Sequence, residues 1–311
     1  MPVEALAQPA KTFRIGFLSP GNPPPLSAGL AGVFYSTLGE HGYTVGKNLV
    51  IEARFGDGQL DRLPRLASEL VSLKLNAIVS IGTPSALAAK EATKATPIVM
   101  VDVADPIATG LVKSLARPGG NITGVSNMSE EIYAKRLDLL SAVAPKIARI
   151  AFMFNGRNPA QLNSLSIVQA LGQTLGKVIV PIDVGAIDEI EASFVLIARE
   201  RAGALIIGND AFLNANVAGI SEHALRQRLP SISGRARGAE AGNLMSYSPD
   251  YLDMYRQAAG YVIKVLQGAK PEDLPIQRPS KFELVINMKT ARVLGITIPQ
   301  SVLARADRVI E

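Results

Sequence analysis

Residues 14–21 read RIGFLSPG and residues 149–156 read RIAFMFNG, and each octet opens a series of short apolar runs separated by helix-sized stretches. Ile15, Phe17 and Leu18 in the first copy, and Ile150, Phe152, Met153 and Phe154 in the second, have the density of a strand buried on both faces and stopped by turn-forming residues. The runs that follow also come in pairs. NLVIEARF (48–55) answers KVIVPIDV (177–184), NAIVSIG (76–82) answers GALIIGN (203–209), and TPIVMVDV (96–103) answers LPSISG (229–234). The offset stays at roughly 130 residues through all four pairs, as expected of a duplicated unit.

Helical periodicity fills the gaps. Across residues 61–75, Leu63, Leu66, Ala67, Leu70, Val71 and Leu75 recur near 3.6 residues with charges between them. Residues 84–94 form a second helix, with Thr83 as N-cap and Pro84 at N1. Parallel strands joined by helices cross right-handedly, so each half is a doubly wound α/β layer; the strand order is not legible. A chain of 311 residues, 48% hydrophobic, suits two such Rossmann-like domains of about 120 to 150 residues each.

Composition removes several functions. No stretch reaches the roughly 18 continuous apolar residues of a membrane span. Charged residues make up 19% of the chain and the net +5 is scattered, without the basic stripe of a nucleic-acid groove, so no nucleic-acid partner is expected. With no cysteine there is neither disulfide nor thiolate metal site, and His41 and His223, the two histidines, stand apart as surface residues. No cofactor is expected. G-x-G-x-x-G, the P-loop and the G-x-S-x-G elbow are all missing, which argues against an enzyme. The start, MPVEALAQPAK, lacks the basic and apolar regions of an export signal, yet Ala5-Leu6-Ala7 before Gln8 resembles the end of one. The expectation is an exported chain whose signal is replaced by a starting Met; a cytosolic tail is the alternative.

Turn chemistry marks three places where the chain changes lobe: ARPGGNITGVS (116–126), AGNLMSYSPD (241–250) and PIQRPSKFELVIN (275–287), with a helix from Tyr251 between the last two. The first is a linker, neither helix nor core strand. The expected division puts 12–122 plus 249–280 in one lobe and 123–248 plus 281–311 in the other, joined by a three-crossing hinge that opens and shuts over a cleft.

DPIATGLVKSLARPGGNITGVS (105–126) and KFELVINMKTARVLGITIPQSVLARADRVIE (281–311), together with AGNLMSYSPD, GAKPEDLP (268–275) and GTPSA (82–86), closely resemble the ABC-transporter substrate-binding proteins that include the tryptophan-binding type. The resemblance runs from about Thr12 to the end. It implies a type I periplasmic-binding-protein fold, export to the periplasm, a captured small molecule, and an ABC permease in the inner membrane as partner, with the chain itself a monomer. Relatives often carry Gly-Gly-Leu-Met-Ser-Tyr-Gly where this chain has Gly242-Asn243-Leu244-Met245-Ser246-Tyr247-Ser248, a change that bears on the ligand more than on the fold. The implied ligand is an aromatic or branched amino acid; another small carboxylate or aromatic acid is the alternative. A ligand-sensing receptor domain would have the same binding lobes, whereas a transcription regulator needs a helix-turn-helix that the dozen residues before the first strand do not provide.

Ligands of doubly wound sheets gather outside the carboxyl ends of the strands. Here those ends are residues 19–22, 82–85 and 102–105 in one lobe and 155–158, 183, 209–210 and 233–235 in the other. Gly82, Thr83 and Ser85 open a helix whose free N–H groups and dipole suit a carboxylate. Asp210, beside Asn209, is the first choice for an ammonium group; Asp105 is its rival, unless it merely caps the helix after Pro106, and Asp102 shares that edge. Tyr247 either lines an aromatic pocket or packs in the core. Ser19 and Asn22 start a proline-rich loop over the cleft, which the facing loop answers with Asn155 and Arg157. Arg157 or Arg235 is an alternative partner for a ligand carboxylate.

Overall fold

In the computed structural model, which describes residues 12–22 and 29–311, the first series of apolar runs becomes β1 (Phe13–Ser19), β2 (Leu49–Phe55), β3 (Ala77–Ile81) and β4 (Ile98–Val103), joined by α1 (Gly29–Glu40), α2 (Leu63–Ser72) and α3 (Gly82–Ala92). A fifth strand, β5 (Ile122–Ser126), completes a parallel sheet in the order β2-β1-β3-β4-β5. The second series gives β6 (Arg149–Phe154), β7 (Val178–Asp183), β8 (Ala204–Ile207), β9 (Ser231–Ser233) and β10 (Met245–Pro249), in the order β7-β6-β8-β9-β10. The two orders are the same. Beyond β10 the second sheet adds β11 (Phe282–Asn287), antiparallel to β10, and β12 (Arg308–Ile310), parallel to β11.

Helices cover both faces of each sheet. The second lobe carries α4 (Ser129–Val143), α5 (Pro159–Thr174), α6 (Glu189–Arg199), α7 (Ala211–Ala215), α8 (Val217–Arg226) and α9 (Ala236–Glu240). Then α10 (Tyr251–Leu266) returns to the first sheet: its Met254, Ala258 and Val262 join Phe34 and Leu38 of α1 over Ile15, Val79 and Val99. In the same way α4, which follows β5, lays Tyr133, Leu137 and Leu140 against Ile150, Phe152 and Ile206 of the second sheet. Each lobe's fifth strand thus hands the chain to a helix of the other lobe.

The 116–126 stretch is not all linker, because residues 122–126 are a core strand and all five are buried. Turn residues conceal it. Gly124, at φ +132°, lies where a Cβ would strike the backbone of Met100, so the strand needs a glycine that reads as a turn signal. The first crossing consequently follows Ser126, later than the expected 122/123 boundary. The second falls between Pro249, paired with Phe282, and Tyr251; the third lies between Gln277, bridged to Val125, and Phe282. Thr83 does not cap α3, which begins at Gly82 after Ile81. Asp105 caps a turn, not a helix, its Oδ1 accepting from the N–H groups of Ile107 and Ala108 at 3.0 Å.

Candidate functional site

The carboxyl ends of the two sheets face one another across a cleft of about 480 Å³. The first lobe lines it with Ser19, Gly82, Thr83, Asp102 and Tyr255, among others; the second does so with Asn158, Asn209, Asp210, Arg235 and Arg237. Asn127, in the first crossing, lies between them. A smaller cavity of about 170 Å³ adjoins it on the first-lobe side, walled by Phe17, Leu30, Ala31 and Ile81, with Asn22 and Tyr255 at its edge. A further hollow of about 490 Å³, bordered by Lys90, Lys94 and Lys113, belongs to one lobe and lies away from these strand ends.

Asp210 is held on every side. It is the N-cap of α7, with Oδ1 accepting from Phe212 N at 2.8 Å and from Asn155 Nδ2 at 3.1 Å, while Oδ2 accepts from Asn158 Nδ2 at 2.9 Å. Asn158 caps α5 through its own Oδ1, which accepts from Ala160 N. The carboxylate is therefore fixed in orientation at the cleft wall, and Oδ2 keeps acceptor capacity beyond one amide.

On the opposite wall α3 presents its N-terminus, Gly82-Thr83-Pro84. The first N–H groups of a helix have no partner within it, and the dipole there is positive. Thr83 Oγ1 is engaged, accepting from Ala104 N at 3.2 Å. Ser85 is fully buried, outside the cleft lining, and its Oγ has no hydrogen-bond partner.

Between these walls runs an ion pair. Asp102, at the left-handed φ of +57°, accepts from Asn127 Nδ2 at 2.8 Å, and Arg235 Nη2 of the other lobe lies 3.4 Å from its Oδ2. The Arg235 guanidinium rests 3.6 Å from the centre of the Tyr251 ring. Burial raises the Asp102 carboxyl above the usual carboxylate range, outweighing Arg235, the Asn127 hydrogen bond and the more distant Arg136. Burial likewise pushes the Tyr251 phenol up to about 12.

Of the residues expected at the site, Ser19, Gly82, Thr83, Asp102, Asn209, Asp210 and Arg235 come together in the cleft, and Asn22 borders the adjoining cavity. Four do not line it. Ser85 is interior; Asp105 is occupied with its own turn; Asn155 stands behind Asp210; and Tyr247 stacks on Phe282, ring centres 5.7 Å apart, against the second-lobe core. Arg157 turns to Gly185 O and Glu189. The proline-rich loop that starts at Ser19 is described only to Asn22: Pro20 lines the cleft, whereas Pro23, Pro24 and Pro25 lie outside the described residues, as do the first 11 residues of the chain. Sequence reasoning missed Tyr255 and Arg237 in the cleft, and a buried arginine behind it, Arg136.

A family model described as ABC transporter substrate binding protein matches residues 22–310. The chain belongs to this family. As a substrate-binding protein it captures a molecule without transforming it, so it is not an enzyme. The tyrosine-binding protein of Clostridioides difficile strain R20291 is 29% identical over 266 residues, 85% of this chain and 75% of that one. Among solved structures, an ABC domain from Streptococcus pneumoniae in complex with L-Trp is 28% identical and superposes with a TM-score of 0.88, covering 96% of this chain and all (100%) of that one. The ligand-free, open structure of a substrate-binding protein with adhesive properties from Clostridium difficile is 25% identical, with a TM-score of 0.69 over 96% of this chain and 99% of that one. The fold of this substrate-binding protein is the expected type I periplasmic-binding-protein fold, two mostly parallel α/β sheets with helices. No helix among its described residues is long and apolar enough to cross a membrane.

Proposed function

We propose that the cleft captures a free aromatic α-amino acid, and that the protein is the periplasmic solute-binding component of an ABC importer, acting as a monomer that delivers its ligand to an inner-membrane permease. The observation that carries this reading is the opposition, in one cleft, of the Asp210 carboxylate on the second lobe and the α3 N-terminus on the first. An α-amino acid brings the complementary pair: its ammonium goes to Asp210 and its carboxylate to the N–H groups of Gly82 and Thr83. The ring enters the adjoining cavity beside Phe17, Ile81 and Tyr255. Names borne by the relatives, tyrosine-binding in one and an L-Trp complex in another, support the aromatic choice.

Capture proceeds by closure. Ligand bound to one lobe gains its remaining hydrogen bonds when the other lobe arrives, and only this preference for the closed form shifts the population. The higher TM-score to the L-Trp complex than to the open relative supports a closed disposition of the lobes here. A micromolar ligand corresponds to about 8 kcal/mol, within reach of a few charge-assisted bonds and one buried ring after ordering costs.

A thermal-shift screen of the twenty amino acids and a set of aromatic acids tests the reading. A ligand at 100 times its dissociation constant stabilises by about 2.7 kcal/mol. Tyrosine, tryptophan or phenylalanine should give the largest rise in Tm; a flat response to all amino acids, with a rise for an aromatic acid lacking an amine, would overturn it.

A further inference from the structure

Arg136 sits where a charge is expensive. It occupies the middle of the inward stripe of α4, formed by Ser129, Ile132, Tyr133, Arg136, Leu137 and Leu140, and it is fully buried. Its guanidinium lies under the carboxyl ends of three strands. Nε donates to Tyr247 O at 2.9 Å, Nη1 to Ile207 O at 3.3 Å, and Nη2 to Asn209 Oδ1 at 2.9 Å. Gly234 leaves the room for this, since a Cβ there would strike both Nη2 and Asn209 Oδ1. All three acceptors are neutral, and no carboxylate among the described residues forms an ion pair with it. A guanidinium does not shed its proton in such a place, so a positive charge with no direct ion-pair partner stands behind the cleft, within electrostatic reach of Asp102.

Asn209 connects that charge to the cleft. An arginine only donates, so the amide oxygen must be the atom facing Arg136, and the orientation of the amide follows. The rest of Asn209 is clamped: its N–H donates to the Tyr133 hydroxyl at 2.9 Å and its C=O accepts from Gln161 Nε2 at 2.8 Å. One polar atom is left over. Nδ2 is buried and has no hydrogen-bond partner, in a residue that lines the cleft.

We infer that Arg136 is a positioning residue for the ligand's carboxylate, acting through Asn209, whose Nδ2 donates to one carboxylate oxygen while the α3 N-terminus holds the other. This rests on the amino-acid reading above and deepens it. In the cleft, Asp102 is paired with Arg235 and Asp210 takes the ammonium, so besides Arg237, which is exposed at the cleft, the cation without an ion-pair partner is the one behind Asn209. Polarisation of the amide by Arg136 strengthens the Nδ2 donor, since hydrogen bonds in a chain reinforce one another.

Calorimetric titration of L-tryptophan and L-tryptophanamide, at a pH where both ammonium groups are protonated, tests this in wild type, Arg136→Met and Asn209→Asp. The wild type should prefer the acid by at least about thirtyfold, a gap of about 2 kcal/mol. In Arg136→Met the preference should shrink at least about tenfold. Asn209→Asp keeps the shape, pairs with Arg136 and turns a carboxylate toward the ligand, so it should reverse the preference. Equal loss of acid and amide binding in both variants would overturn the positioning role and leave the amino-acid reading standing. Failure of the wild type to bind either compound, with an aromatic acid binding instead, would overturn both.

Discussion

Nη2 of Arg235 in the second lobe lies 3.4 Å from Oδ2 of Asp102 in the first, an ion pair that bridges the cleft. Both side chains are mostly withdrawn from water, 24% and 16% exposed, so the contact is screened less than a surface pair. Opening the lobes separates them, and each then finds water. Asp102→Asn or Arg235→Gln should therefore favour the open form, weakening ligand binding by about tenfold, or about 1.4 kcal/mol. Small-angle X-ray scattering of the ligand-free variants should give a larger radius of gyration than wild type. An unchanged radius and affinity would mean that the pair does not hold the lobes.

Tyr251 supplies the ring beneath Arg235, but its buried hydroxyl has no hydrogen-bond partner. Tyr251→Phe retains the ring and removes that orphan group, so stability at neutral pH should hold or rise by up to about 1 kcal/mol. The pH dependence has a definite sign. The folded pKa, about 12, is above the ordinary phenol value of 10.0, so the native state keeps the phenolic proton longer than the unfolded chain does. The stabilisation is complete below pH 10 and is lost as pH rises toward about 12. Urea denaturation of Tyr251→Phe in that window should decline less steeply than wild type, by up to about 1.4 kcal/mol per pH unit. Parallel declines would contradict the burial of this phenol.

Thr83 and Ser85, close in sequence at the start of α3, should respond differently to alanine. Thr83→Ala leaves the N–H of Ala104 without its acceptor and should cost about 1–3 kcal/mol of stability, with weaker binding because that turn forms the cleft wall. Ser85→Ala removes an unpartnered buried hydroxyl outside the cleft lining and should change affinity by less than about twofold. A large affinity loss in Ser85→Ala would place its hydroxyl on the ligand after all.

Gly124→Ala should be the most damaging single methyl. The new Cβ meets Met100 backbone, which cannot rotate away, and φ of +132° is strained for any L side chain. A loss of at least about 3 kcal/mol is expected from chemical denaturation; a loss below about 1 kcal/mol would show that β4 and β5 separate easily.

Much of the framework is legible in the paired octets, because four strands of each lobe are apolar runs that hydrophobic density detects. The fifth strands are not. ITGVS is buried through hydrogen bonds as much as through apolar surface, since Thr123 Oγ1 donates to Leu274 O and Ser126 Oγ to Val103 O, contacts that appear only once the lobe is assembled, and MSYSP carries two buried serines and a proline where an apolar run is looked for. The cleft follows from the strand ends, so Asp102, Asn209, Asp210 and Arg235 could be named in advance. Tyr255 could not, since it reaches the first lobe on α10, a helix that follows the last parallel strand of the second. Tyr247 misled because a tyrosine near a hinge crossing suggests the cleft, whereas its ring stacks on Phe282 against the second-lobe core. Arg136 did leave a signal, a charge within an apolar stripe with Ile132, Tyr133, Leu137 and Leu140.

The central claim is that the two lobes close on both charged ends of an aromatic amino acid. Isothermal titration calorimetry with L-tryptophan and L-tyrosine, alongside tryptamine and indole-3-propionate, tests it most directly. The account predicts one-to-one binding of at least one amino acid, with each single-charge analogue at least about thirtyfold weaker, or about 2 kcal/mol. No heat from either amino acid, or tryptamine or indolepropionate binding as tightly as tryptophan, would contradict it.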